Sequence, residues 1–267
     1  MRFITMKRKF PIIISLILIL LLISPSVYSD TKDRSKYFNI FNQAYEYDNM
    51  PTLKIEAYFD DIPELSEKIK AEYESLMAPV PNDIKAQLKE SGVIVYIVKS
   101  TSGYYSKLSD TAPNGFFNPS NLQIFINTSY DEEFDTYDFA AYRIGISLYH
   151  ELGHAVDQLN GNCSDSPEFQ SVFNEEKKGS LFFRNSSSEM FADIFYNYLY
   201  GIYSIANGYI PLHGYDTHIN IDCCPKCTAC MIKLLNLEDI YDENAQVRML
   251  IEFIFSDITI AYNNQLS

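Results

Sequence analysis

Three residues in the run 149-YHELGHAVD-157 have the types and spacing for hydrolytic chemistry. His150 and His154 are four apart, and on an α-helix such residues sit one above the other. Two imidazoles can therefore aim at one metal ion. Glu151 is displaced by about 100° around the axis, beside that point and within reach of a water held there. Zinc lowers the pKa of such a water towards neutrality, and a carboxylate can accept its proton. The pattern predicts two zinc ligands and a general base within about one turn.

The competing explanation is a chance match on a surface helix, and the surroundings oppose it. The chain holds only four histidines, and two of them stand in this motif. Leu148, Leu152, Ala155 and Leu159 fall at helical spacing and predict a face turned to the core. Gly153 costs a helix interior roughly 1 kcal/mol relative to alanine, a cost that a close backbone or substrate approach would explain. Asp157, near the helix C-terminus, is unfavourable against the helix dipole and calls for a partner.

A catalytic zinc requires a third protein ligand. His213 and His218 are available, but 186-SSSEMFADIF-195 is better suited. Its serines suit a helix start, and Glu189 and Asp193 lie at i and i+4 on one face. One carboxylate can bind metal while the other accepts the free ring N–H of a ligand histidine. Two solvated acids at a helix N-terminus explain the spacing equally well.

The elements that must position these residues are mostly helical. Residues 62–90 show helical spacing, with Leu65, Ile69 and Leu76 on one face and a glycine stop after 82-NDIKAQLKESG-92. The run 93-VIVYIVK-99 reads as a strand, and 115-GFFNPSNLQIFIN-127 as two short β-prone segments around a turn. The motif helix is expected over 139–159, ended by Asn160-Gly161, and a second helix over 188–203. From Met231 to Tyr262 apolar residues recur at helical spacing. Residues 30–60 show no clear period and are expected to form an irregular arm. The fold class expected is α+β, predominantly helical, with a small sheet bordering the cleft.

The chain opens with Arg2, Lys7, Arg8 and Lys9, an apolar core over 10–23 and the segment SPSVYS. This is the layout of a secretory signal peptide over 1–29. The apolar run is shorter than the roughly 18–20 residues of a spanning helix. Residues 30–267 are expected to form one domain, with the catalytic core at 91–200 and a C-terminal helical part at 201–267. Removing the four basic residues takes the net charge from −14 to −18. Such a chain is unsuited to binding nucleic acid through phosphates.

Of five cysteines, Cys223, Cys224, Cys227 and Cys230 are clustered and Cys163 stands apart. In a secreted chain disulfides are expected first, including a link from Cys163 to the cluster. A second, structural metal held by thiolates ranks behind them.

HELGHAVD followed by ExFAD resembles the family of the anthrax toxin lethal factor peptidase domain and the secreted Pro-Pro endopeptidases. The resemblance runs roughly from Ser91 to Tyr200. It implies a zincin-like fold, one catalytic Zn(2+), and secretion by a Gram-positive bacterium. It further implies His150, His154 and Glu189 as ligands, Glu151 as the base, and Asp193 orienting a ligand histidine. The strand at 122–127 would border the cleft and pair with an extended protein or peptide substrate. The family carries a tyrosine seven residues before the glutamate ligand, whose hydroxyl stabilises the oxyanion. Phe182 stands there and cannot donate a hydrogen bond. Substitutes are His213, His218 and Tyr196, with Arg184 and Tyr215 behind them. The reading is a secreted zinc metalloendopeptidase. The alternatives are a non-catalytic zinc-binding module of the same fold, and a tethered structural protein with an incidental motif.

Overall fold

The helical spacing of residues 62–90 resolves into two helices, α1 (Pro63–Met77) and α2 (Asn82–Glu90), because Pro81 stands between them. Helix α2 ends as expected. Gly92 adopts φ +79° and its N–H reaches the Lys89 carbonyl, a left-handed stop that glycine accepts without strain. The computed structural model describes residues 40–59, 63–104, 113–128, 140–177, 186–206 and 224–237. These all belong to one compact unit, Tyr37–Ser267. The expected signal segment lies outside the described residues, among which no helix is long and apolar enough to cross a membrane.

Five strands form one sheet: β1 (Ala44–Tyr45), β2 (Thr52–Ile55), β3 (Ile94–Val98), β4 (Gly115–Asn118) and β5 (Gln123–Asn127). Their order is β1-β2-β3-β5-β4, with β2, β3 and β5 mutually parallel and β1 and β4 antiparallel to their neighbours. The stretch 30–60 is thus not an irregular arm where it is described. Leu53 and Ile55 are buried against the parallel partner β3, and four residues are too few to show a period.

The two faces of the sheet differ. Toward the helices the register lines up Leu53, Val95, Ile124 and Phe117 in one row, and Ile55, Ile97, Ile126 and Gly115 in the next. The apolar members of both rows belong to the main core. The opposite face carries the row Lys54, Tyr96, Phe125 and Phe116, with the Tyr96–Phe125 and Phe116–Phe125 rings stacked at 4.7 and 4.9 Å.

Helix α3 (Ala140–Leu159) carries the motif, α4 (Pro167–Glu176) follows it, and α5 (Ser187–Ala206) packs against α3 more extensively than any other helix does. Helix α6 (Pro225–Leu234) covers α4 and α5. Its first turn is held from outside, since the Glu176 carboxylate accepts from the N–H groups of Lys226 (2.8 Å) and Cys227 (3.0 Å). The architecture is α+β with helices predominant, as the sequence implies. Helix α4 went unexpected, although Ser166-Pro167 is a start signal: the Ser166 hydroxyl caps the Phe169 N–H at 3.2 Å.

Candidate metal centre

Helix α3 is anchored by its apolar face. Leu148, Leu152, Ala155 and Val156 are buried, and the buried Tyr149 hydroxyl donates to the Leu76 carbonyl at 2.7 Å. Beyond Leu159 the chain turns through Gly161 (φ +79°). The turn is locked by Asp157, whose two carboxylate oxygens accept from the Ser164 N–H (2.7 Å) and hydroxyl (2.5 Å). This supplies the partner that Asp157 required at the helix end.

With the helix fixed, His150 and His154 project together, their Nε2 atoms 3.2 Å apart. The facing groups come from α5, which approaches α3 at Gly153. A Cβ built there would stand 2.7 Å from the Ala192 Cα and 3.1 Å from its carbonyl oxygen. Only glycine allows that approach. Ala192 lies between Glu189 and Asp193, so the same contact carries both carboxylates to the histidines. One Glu189 oxygen lies 3.4 Å from His150 Nε2, the other 3.5 Å from His154 Nε2. Asp193 Oδ1 lies 2.7 Å from His150 Nδ1. Glu189 stands in the first turn of α5, where the helix dipole favours an anion.

His150, His154 and Glu189 form a group able to hold a metal ion. A tetrahedral zinc with bonds of about 2.0–2.1 Å separates its ligand atoms by about 3.3–3.4 Å. The three spacings observed, 3.2, 3.4 and 3.5 Å, fit that requirement. Asp193 holds the other nitrogen of His150 and so presents Nε2 to the metal. The Glu189 side chain is 47% exposed, which leaves the site open to solvent on one side.

Glu151 is buried beneath the sheet edge. Burial pushes its carboxyl up to about 7, while the His150 charge and a hydrogen bond from the Phe117 backbone N–H pull the other way. A carboxylate poised near neutrality suits a general base. Burial pulls His150 down, but its hydrogen bonds to Asp193 and Glu189 and the charges of Glu151 and Asp193 outweigh this and push it up to about 10. Burial and the His150 charge pull His154 down to about 4.

Other sequence expectations fare differently. The β5 strand lies between β3 and β4 with both edges paired, so it cannot accept a substrate strand. Among the described strands β4 is the edge next to α3. Strand order is a long-range property that the local pattern does not carry. Cys163, Cys227 and Cys230 are free thiols, against the disulfides expected. Cys227 and Cys230 sit on one helix at i and i+3, where Cβ atoms about 5–6 Å apart exceed disulfide geometry. Cys163 donates to the Asn160 carbonyl at 3.4 Å. Burial and the nearby Glu176 carboxylate push the Cys227 thiol up. Among the described residues, the histidine–glutamate set is the one group spaced for a metal, and the cysteines form no second. Tyr196 is buried on α5 with its ring against Tyr200 at 5.6 Å. Phe182, Arg184, His213, Tyr215, His218 and Cys223 lie outside the described residues. Sequence reasoning missed Gly115 and the Phe117 N–H, and a backbone donor leaves no mark in residue types.

No protein-family model matches the chain, and no curated protein sequence matches it. Among solved structures it is similar to a Pro-Pro endopeptidase from Paenibacillus alvei, at 19% identity and a TM-score of 0.42. The match covers 62% of this chain and 91% of that one. The overlap is partial, and the functional reading rests on the geometry of the site.

Proposed function

We propose that this protein is a secreted zinc-dependent metalloendopeptidase of the lethal factor and Pro-Pro endopeptidase type. The observation that carries this is the convergence of His150, His154 and Glu189 at metal-ligand spacing beside the buried carboxylate of Glu151. A bound zinc would supply a Lewis acid for polarising a carbonyl and acidifying water. Glu151 takes the proton of the attacking water and later delivers it to the leaving amine. Asp193 keeps His150 in the tautomer and orientation a ligand needs. Nε2 of both histidines and the Glu189 carboxylate define where the scissile bond must come.

The substrate is an extended peptide that adds to the outer edge of β4. Asn127 N–H donates to the Asn114 carbonyl, so 114 and 127 form a hydrogen-bonded pair and the pairs 115–126 and 117–124 are the intervening kind. The N–H and C=O groups of Gly115 and the C=O of Phe117 therefore face away from β5, towards an incoming strand, while the Phe117 N–H on the same side is taken by Glu151.

A second reading, a zinc-binding module without catalysis, is favoured by Phe182 in place of the family tyrosine. Loss of one oxyanion donor lowers a rate by about a hundredfold or more; Tyr196, His213 and His218 are the proposed substitutes. The test is incubation of the mature protein with a diverse peptide library, with and without chelator, beside a Glu151→Ala variant. Cleavage abolished by both treatments supports the peptidase, and cleavage that survives either one sinks the mechanism. Stoichiometric zinc without cleavage supports the binding module instead.

A further inference from the structure

The core-facing row Ile55, Ile97, Ile126 loses its side chain at the last position, Gly115, on the sheet edge. What occupies that place is the motif glutamate. A Cβ built on Gly115 would stand 3.1 Å from Ile126 Cδ1, 3.2 Å from Glu151 Cγ and 3.3 Å from the Phe125 carbonyl oxygen. The glutamate chain thus passes where a side chain of β4 would otherwise point. Two residues further on, the Phe117 N–H, directed outward by the strand register, donates to its carboxylate. The strand that would receive the peptide also holds the base.

We propose that Gly115 and the Phe117 backbone are positioning groups for Glu151: the missing side chain at 115 is the notch through which the glutamate reaches the strand edge, and the Phe117 N–H fixes its carboxylate there. This rests on the peptidase reading and deepens it. The base is set by the sheet as much as by its own helix, so its carboxylate and the peptide are referred to one strand. Of the three atoms facing the notch, the Phe125 oxygen is backbone inside the sheet and cannot yield. A methyl at 115 therefore displaces Glu151, Ile126 Cδ1, or both.

The experiment is Gly115→Ala in the full chain, alone and combined with Ile126→Val, which removes Cδ1. Four quantities are read: zinc content, melting temperature, steady-state kinetics on a cleaved peptide, and crystal structures of wild type and variant. The expected result for Gly115→Ala is unchanged zinc, KM within about twofold, and kcat lower by about tenfold to a hundredfold, the scale of a misplaced catalytic group. Glu151 should be displaced from the Phe117 N–H, and adding Ile126→Val should not restore kcat. A melting-temperature loss with kcat recovered by Ile126→Val would mean packing alone and overturn the proposal. So would wild-type kcat with Glu151 in place. If wild type cleaves no peptide, the peptidase reading fails by itself, and the two crystal structures still decide whether Gly115 positions Glu151.

Discussion

Replacing Gly153 by alanine tests whether the contact between α3 and α5 builds the metal site. The added Cβ would stand 2.7 Å from the Ala192 Cα and 3.2 Å from the Phe195 Cβ. Carbon atoms in contact settle at about 3.5–4.0 Å, and the Ala192 atoms are backbone, so the relief must come from separating the helices by roughly 0.5–1 Å. Glu189 and Asp193 flank Ala192 and would retreat with it. The spacings of 3.4 and 3.5 Å between Glu189 and the histidines would then open beyond what a zinc coordination shell spans, since bond lengths tolerate only about ±0.2 Å. Zinc affinity should fall by about tenfold to a hundredfold, in the range seen when groups supporting a ligand are lost. Stability responds to two opposed effects. Overpacking costs about 1–3 kcal/mol, and alanine returns roughly 1 kcal/mol of helix propensity. The net is a loss of up to about 2 kcal/mol, read by melting the protein without metal. Affinity is read by competition with a chelating indicator. An alanine variant that binds zinc as wild type does, and melts higher, would refute the reasoning. It would mean that the helices adjust without moving the ligands.

Two further outcomes follow from the same geometry. Asp193→Ala removes the acceptor 2.7 Å from His150 Nδ1 and should weaken zinc binding by about tenfold to a hundredfold; unchanged affinity by competition titration would remove Asp193 from the site. In the absence of metal, hydrogen bonds to Asp193 and Glu189 hold His150 up to about 10 against its burial, so at pH 7 it carries a proton that zinc must expel. Calorimetry in buffers of different ionisation enthalpy should show release of about one proton, with affinity rising about tenfold per pH unit from 7 towards 10, and a pH-independent affinity would contradict this.

The parts of the site legible in the sequence were those fixed by helical spacing. His150 with His154 needed only the i and i+4 rule. The same rule put Glu189 and Asp193 on one face but left two solvated acids equally possible, and their roles came from the family resemblance. Gly153, an expense in a helix interior, signalled a close approach by backbone or substrate, and the contact with Ala192 shows that it serves the meeting of the two helices. What could not be read was long-range. The order that puts β5 inside the sheet and β4 at its edge depends on pairings between distant segments. The four residues of β2 are too short for periodicity to mark them. That Cys227 and Cys230 are free thiols reflects helix geometry in α6 that the count of cysteines does not contain. Gly115 is legible only once Glu151 is seen beside it.

The central claim is that His150, His154 and Glu189 together hold one zinc ion, and its most direct test is the metal content of the purified full chain. The account predicts one zinc per chain, removed by chelator and by His154→Ala or Glu189→Ala, with the fold retained. A chain that binds no zinc, or that keeps it when these three residues are replaced, contradicts the account.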